Sequence, residues 1–218
     1  MKFAVIGAGN TGQAMAAHLR IMGNEVKLYD RNAKKVEKIT KSGIELRNAL
    51  NGKVSIEATT DICQCIEDAD FIMVMTTAQA HSIVCRQMQP FLQDRQTIII
   101  FNGNWGAFEF KEILSETLSK KGITIAETGA MLYIGNSPEA GIVNVKQVKN
   151  EVTLSSIPAA KSTEIADRLK AVYPQLTPVD RILETSLNKG KESCTINSEN
   201  ANANNTVSSD SLKNCKIS

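Results

Sequence analysis

Gly7, Gly9 and Gly12 stand at the spacing G-x-G-x-x-G, directly after the apolar run Lys2 to Ile6 and directly before a helix-compatible stretch. A strand-turn-helix of this kind holds a pyrophosphate. Gly7 permits the tight turn, Gly9 has no Cβ and lets the backbone approach the phosphates, and Gly12 lets the helix pack close to the strand. The unpaired N–H groups at the helix start then face the anion. Gly7, Ala8, Gly9, Asn10, Thr11 and Gly12 are therefore candidate cofactor-binding residues. Asp30, 18 positions after Gly12 at the end of the next apolar run, can accept hydrogen bonds from ribose hydroxyls and favours NAD. Arg31 beside it suits a 2′-phosphate and leaves NADP open. The competing reading is a glycine-rich turn without a ligand. The strand, helix and acidic residue around the turn argue against it.

Ligands of doubly wound folds lie beyond the carboxyl ends of the strands, where the strand order reverses. Three further loops are expected on that edge. Thr76 and Thr77 follow the run Phe71 to Met75, with His81 one helical turn on. Asn102, Gly103, Asn104 and Trp105 follow Thr97 to Phe101, and Glu127 and Thr128 follow Ile123 to Ala126. Thr76, Thr77, His81 and Asn102 are read as cofactor contacts. His81 has the alternative of a packing or capping residue. Glu127 is the candidate substrate contact, for a cationic or amine group, against the alternative of a solvated strand end. His18, among Ala and Leu, reads as structural or surface.

The elements that must position these residues alternate. Strands are predicted at Lys2 to Ile6, Glu25 to Tyr29, Phe71 to Met75, Thr97 to Phe101 and Ile123 to Ala126. Helices are predicted at Gln13 to Met22, Ala33 to Ser42, Thr60 to Ile66 (with Thr60 as its cap), Gln79 to Gln89 (stopped by Pro90) and Ala107 to Lys120. A small hairpin of Ile44 to Leu46 and Val54 to Glu57 is expected around Asn51-Gly52. Unbroken apolar strands between helices imply a mostly parallel sheet covered on both faces, a doubly wound α/β (Rossmann) fold.

The chain has 218 residues, with 25 basic and 23 acidic side chains. No basic face or block argues for nucleic acid. No apolar run approaches the ~18 residues of a membrane span, and no signal peptide is evident. Five cysteines without a C-x-x-C pair suggest reduced thiols, a cytoplasmic setting and no metal site. Residues 1–188 read as one dinucleotide-binding domain. Residues 189–218 hold six Asn, six Ser and no aromatic residue, and read as disordered.

FAVIGAGNTGQAMAAHL at 3–19, TTAQAHSIV at 76–84, NGNWGAFEF at 102–110, AETGAMLY at 126–133 and ILETSLN at 182–188 together carry a family resemblance. The chain resembles the N-terminal domain of the octopine/nopaline (opine) dehydrogenase family. More distantly it is similar to glycerol-3-phosphate dehydrogenases and ketopantoate reductases. The resemblance implies an oxidoreductase that condenses an amino acid with a 2-oxo acid and reduces the imine with NAD(P)H. It also implies a helical second domain bearing a catalytic histidine in a His-Pro context. After Asn188 the sequence has no histidine, so no catalytic residue is carried over. A truncated or frame-shifted copy, impaired in catalysis, is the expectation. A non-catalytic nucleotide-binding module and a domain completed by another chain are the alternatives. Self-association through surface that a second domain would cover is also expected.

Overall fold

Alternate residues of the first strand enter two different cores. Phe3 and Val5 pack into one and Ala4 and Ile6 into the other. A strand with apolar side chains on both faces must be covered on both, which makes a three-layer α/β unit. The structure, a computed structural model, describes residues 1–187. The expected tail, 189–218, and the domain boundary at 188 lie outside the described residues.

The elements in chain order are β1 (Lys2–Ile6), α1 (Asn10–Ile21), β2 (Glu25–Tyr29), α2 (Ala33–Ser42), β3 (Ile44–Asn48), β4 (Gly52–Val54), β5 (Glu57–Thr59), α3 (Ile62–Ile66) and β6 (Phe71–Val74). There follow α4 (His81–Met88), β7 (Thr97–Ile100), α5 (Gly106–Lys121), β8 (Thr124–Thr128), β9 (Tyr133–Glu139), β10 (Ile142–Val148), β11 (Val152–Ile157), α6 (Ser162–Leu169), β12 (Leu176–Pro178) and α7 (Ile182–Leu187).

The main sheet has eight strands in the order β12-β11-β8-β7-β6-β1-β2-β5. Its pairings from β5 through β8 are all parallel, while β11 runs antiparallel to β8. This is the mostly parallel, doubly wound sheet the alternation predicts. β1 leads to β2 on one side and, later in the chain, pairs with β6 on the other. The strand order therefore reverses between β1 and β6, the position beyond whose strand ends doubly wound folds take their ligands.

α3, α4 and α5 supply one core, with Ile66, Cys85, Met88, Phe110 and Leu114. α1, α2 and α6 cover the opposite face. There a second sheet, β4-β3-β10-β9, lies over α1. Its Leu46, Tyr133, Val143 and Val145 share a core with Ala14, Met15 and Ala17 of that helix. α1 is thus enclosed between two sheets. His18 is held there, its Nδ1 2.9 Å from the Tyr133 hydroxyl, which donates to the Tyr173 hydroxyl at 3.0 Å.

Several predicted boundaries are corrected. α1 begins at Asn10, with Gly9 as its N-cap, three residues before the predicted start at Gln13. Asn and Thr are poor helix formers in mid-helix but suit a first turn. α3 is capped by Asp61 and not by Thr60. The Asp61 carboxylate accepts from Cys63 N at 2.8 Å and Gln64 N at 3.3 Å. Pro90 sits inside a further 3₁₀ turn, Gln89–Phe91, where its missing N–H costs nothing. β8 runs on to Thr128, so Glu127 and Thr128 lie within the strand and not after it. The Asn51-Gly52 hairpin is present as β3–β4, but Glu57 belongs to the main sheet.

Candidate nucleotide-binding site

The glycine turn is built as its spacing requires. Gly7 has φ +107°, a region closed to most residues with a Cβ, and its N–H donates to Tyr29 O. A Cβ on Gly12 would lie 1.8 Å from the Gly7 carbonyl oxygen. Strand and helix can approach this closely only with glycine there. A Cβ on Gly9 would meet nothing within 4 Å. The helix behind Gly9 has no side-chain cap and no acidic residue in its first turn. An open backbone position in front of an uncapped helix N-terminus is a cradle for an anion. A dinucleotide pyrophosphate fits it by charge and by room.

Asp30 closes the second strand and is nearly buried. Its Oδ2 accepts from Ala8 N at 2.9 Å and lies 3.1 Å from Lys35 Nζ. Its Oδ1 accepts from Asn32 N at 2.9 Å. The carboxylate therefore braces the glycine turn and carries a cation beside it, a residue the sequence reading did not single out. Arg31 is exposed next door.

Thr76 lies beside the turn, its Cγ2 3.1 Å from where a Gly7 Cβ would be. Its Oγ1 is buried without a hydrogen-bond partner. Thr77 is exposed and Asn102 half-buried on the same edge. Gly7 to Gly12, Asp30, Thr76, Thr77 and Asn102 thus share the carboxyl edge of the sheet.

His81 and Glu127 are placed differently. His81 is 1% exposed, edge-on to Phe110, and a Cβ on Gly106 would come 2.7 Å from its Nδ1. Its Nε2 has no partner. Burial lowers its pKa, opposed by Glu109, the Thr76 carbonyl and Glu127. His18 is lowered by burial too. A folded state that resists protonation loses stability as pH falls below the ordinary value of 6.5, because the unfolded chain then binds more protons. Thermal unfolding should shift to lower temperature between about pH 7.5 and 5.5, around the histidine range. His81→Phe should flatten that slope. An unchanged slope would place the acid sensitivity elsewhere.

Glu127 is 0% exposed. Its Oε2 accepts from Ala107 N at 3.0 Å, which caps α5 from a neighbouring strand. Its Oε1 accepts from the Ser186 hydroxyl at 2.5 Å and the Thr185 hydroxyl at 3.3 Å, both on α7. It lies under the loop after β7, where a Cβ on Gly103 would come 2.1 Å from its Cγ. That loop is strained. Asn102, Asn104 and Trp105 all have positive φ, of 53°, 46° and 73°. Glu127 is thus neither a solvated strand end nor exposed at the carboxyl edge. It ties β8, α5 and α7 together.

The sequence reading missed Gln13. This buried side chain bonds the turn to the second sheet. Its signal was a polar residue heading the run Ala14-Met15-Ala16-Ala17, apolar all round the helix and so covered on every side.

Comparison with known proteins places these features in context. Residues 2–128 match the family model described as NAD-dependent glycerol-3-phosphate dehydrogenase N-terminus. The chain is 32% identical over 189 residues to an opine dehydrogenase of Arthrobacter sp. (strain 1C), covering 85% of this chain and 52% of that one. Among solved structures, octopine dehydrogenase with NADH and L-arginine superposes with a TM-score of 0.74 at 20% identity, over 87% of this chain and 51% of that one. A PanE/ApbA-family ketopantoate reductase from Ralstonia eutropha JMP134 gives 0.70 at 20% identity, over 84% and 57%. These structural likenesses speak to the fold. The chain spans about half the length of the opine dehydrogenase it matches.

Proposed function

Because the chain belongs to the family of NAD-dependent glycerol-3-phosphate dehydrogenase N-terminal domains, we propose that it binds NAD(P) as the nucleotide domain of an opine-dehydrogenase-type oxidoreductase. The observation that carries the reading is the open Gly9 position before an uncapped α1, at the reversal of strand order between β1 and β6. The likeness to an opine dehydrogenase over 189 residues supports the reaction class. That reaction joins the amine of an amino acid to a 2-oxo acid and reduces the imine. When bound, the reduced nicotinamide supplies the hydride.

In this reading the residues from Gly7 to Gly12 seat the pyrophosphate. Asp30 takes the adenosine ribose, and Thr76, Thr77 and Asn102 border the nicotinamide half. His81 backs that half from beneath, at the α4 and α5 termini, its buried Nε2 without a partner among the described residues. Glu127 serves the substrate side as a positioning residue, fixing the start of α5 and the approach of α7. No catalytic acid or base is assigned. The exposed pair Trp105 and Phe108, with ring centroids 6.0 Å apart, is the proposed surface for self-association. Among the described residues no helix is long and apolar enough to cross a membrane. We place the protein in the cytoplasm on its unpaired Cys63, Cys65 and Cys85.

NADH is the ligand of choice, with modest discrimination against NADPH. Asp30 repels a 2′-phosphate, but Lys35 offsets that charge at 3.1 Å. Titration by NADH fluorescence tests the whole reading, and a chain that bound neither dinucleotide would end it. Lys35→Met tests the discrimination. With Asp30 left uncompensated, NADPH affinity should fall relative to NADH by about threefold to tenfold, as expected for one partly screened charge. An unchanged ratio would remove Lys35 from the selectivity.

A further inference from the structure

Gln13 stands where the second sheet meets the glycine turn. It is 2% exposed, and its amide is fully engaged. Nε2 donates to Ala8 O at 3.0 Å and to the Ser137 hydroxyl at 3.3 Å, and Oε1 accepts from Gly141 N at 2.8 Å. Two donors and one acceptor therefore reach one turn residue and two residues of the β9–β10 hairpin. A second link runs beside it, from Ser137 N to Asn10 Oδ1 at 3.1 Å.

The bond to Ala8 O matters most. In a trans peptide the carbonyl of one residue and the N–H of the next point in opposite directions. Holding Ala8 O toward Gln13 therefore fixes the direction of the Gly9 N–H, which points the opposite way. Ala8 is gripped from its other peptide as well, since its own N–H donates to Asp30 Oδ2 at 2.9 Å. Both peptide planes flanking Ala8 are thus fixed, one by the second strand and one by Gln13. Gln13 in turn is held by the hairpin.

We propose that Gln13 is the positioning residue of the dinucleotide site, setting the Gly9 amide toward the pyrophosphate and coupling that amide to the β9–β10 hairpin. The proposal rests on the dinucleotide reading above. It makes the second sheet part of the binding apparatus, although no side chain of that sheet needs to touch the ligand. Coupling is reciprocal, so a bound dinucleotide must also steady the hairpin.

The test uses the full chain, NADH as probe, and Gln13→Met, which keeps the length of the side chain without its hydrogen bonds. NADH affinity should fall about tenfold or more, the scale expected when a buried amide bond is lost at a binding site. Hydrogen exchange should show protection of residues 133–148 on NADH binding in the parent and its loss in the variant. A variant that melts earlier but binds NADH as the parent does, with hairpin protection intact, would make Gln13 merely structural and overturn the proposal. If Gln13→Met does not fold, Ser137→Ala carries the test from the hairpin side. It should weaken NADH about twofold to threefold and reduce the same protection; no change in either would overturn the proposal. A parent that binds neither NADH nor NADPH would instead defeat the dinucleotide reading and the coupling with it. A parent that binds, beside a Gln13→Met that binds equally well, defeats the coupling alone.

Discussion

Gly9→Ala should fold like the parent and lose its dinucleotide, whereas Gly12→Ala should lose both. The two glycines are three residues apart, yet the space around them differs completely. A Cβ on Gly12 would be 1.8 Å from the Gly7 carbonyl oxygen and 3.0 Å from its carbon. Both contacts are backbone, so α1 and the turn must separate. Overpacking costs about 1–3 kcal/mol, and a clash with rigid backbone lies at the upper end of that range. The separation also destroys the relation between the turn and the helix N-terminus. At Gly9 the Cβ would meet nothing within 4 Å, and φ is −73°, a value alanine adopts freely. The melting temperature should therefore stay where it is. The added methyl instead occupies the space through which a pyrophosphate must approach the backbone. A loss of on the order of a hundredfold in NADH affinity, about 2.7 kcal/mol, is expected. Calorimetric melting and NADH titration of both variants check the pair. If Gly9→Ala bound NADH normally, the ligand would have to lie elsewhere than over this turn.

Glu127→Ala should be among the most destabilising changes to any charged residue of the chain, although it touches no exposed surface. The carboxylate accepts from Ala107 N and from the hydroxyls of Thr185 and Ser186. Truncation leaves the Ala107 N–H buried without an acceptor and opens a void under Gly103. A buried donor left unpaired, with two hydroxyls losing their acceptor, amounts to about 3 kcal/mol or more. For a chain of this size that is roughly a 6–12 °C fall in melting temperature. Glu127→Gln should lose far less, because its amide oxygen still accepts from Ala107 N while its NH₂ donates to a hydroxyl that turns to receive it. Equal losses in the two variants would mean that volume, and not hydrogen bonding, holds this corner. A wild-type melting temperature for Glu127→Ala would remove its role as the tie between β8, α5 and α7.

The strands that the sequence makes legible are those whose own residues decide their fate. Phe71–Val74 and Thr97–Ile100 are unbroken apolar runs between polar punctuation, and they are buried along their whole length. β2 and α2 coincide with their predicted ends because a Gly-Asn pair opens one and Asn32 caps the other. The second sheet is a different case. In Tyr133–Glu139 only Tyr133 is buried, so no alternation announces a strand. It exists because β10 pairs with it and α1 lies beneath. Those are contacts between distant segments, which a local pattern does not encode. The same limit hides Gln13, whose partners Ser137 and Gly141 are more than a hundred residues away. Glu127 shows a third kind of limit. Its position at the carboxyl edge follows from the strand count, but the ladder continues past it because β11 pairs there, with Leu154 opposite Thr128, and Gly103 N bonds Thr128 O. Two added rungs turn a loop residue into a buried one.

The second sheet also fixes an order of events in folding. Its central parallel pair joins β3 to β10, with Glu45 opposite Ile142, roughly a hundred residues later in the chain. Such a pair must close a long loop before it gains anything, so it forms late. During synthesis β1, the glycine turn, α1 and β2 leave the ribosome first. They wait with part of one face of α1 uncovered until β9 and β10 emerge to complete the sheet that β3 and β4 begin. The nascent chain therefore carries its glycine turn and Gln13 long before it carries Ser137 and Gly141, the partners of that side chain. On the coupling proposed above, the dinucleotide gains its full site only once synthesis has passed the hairpin.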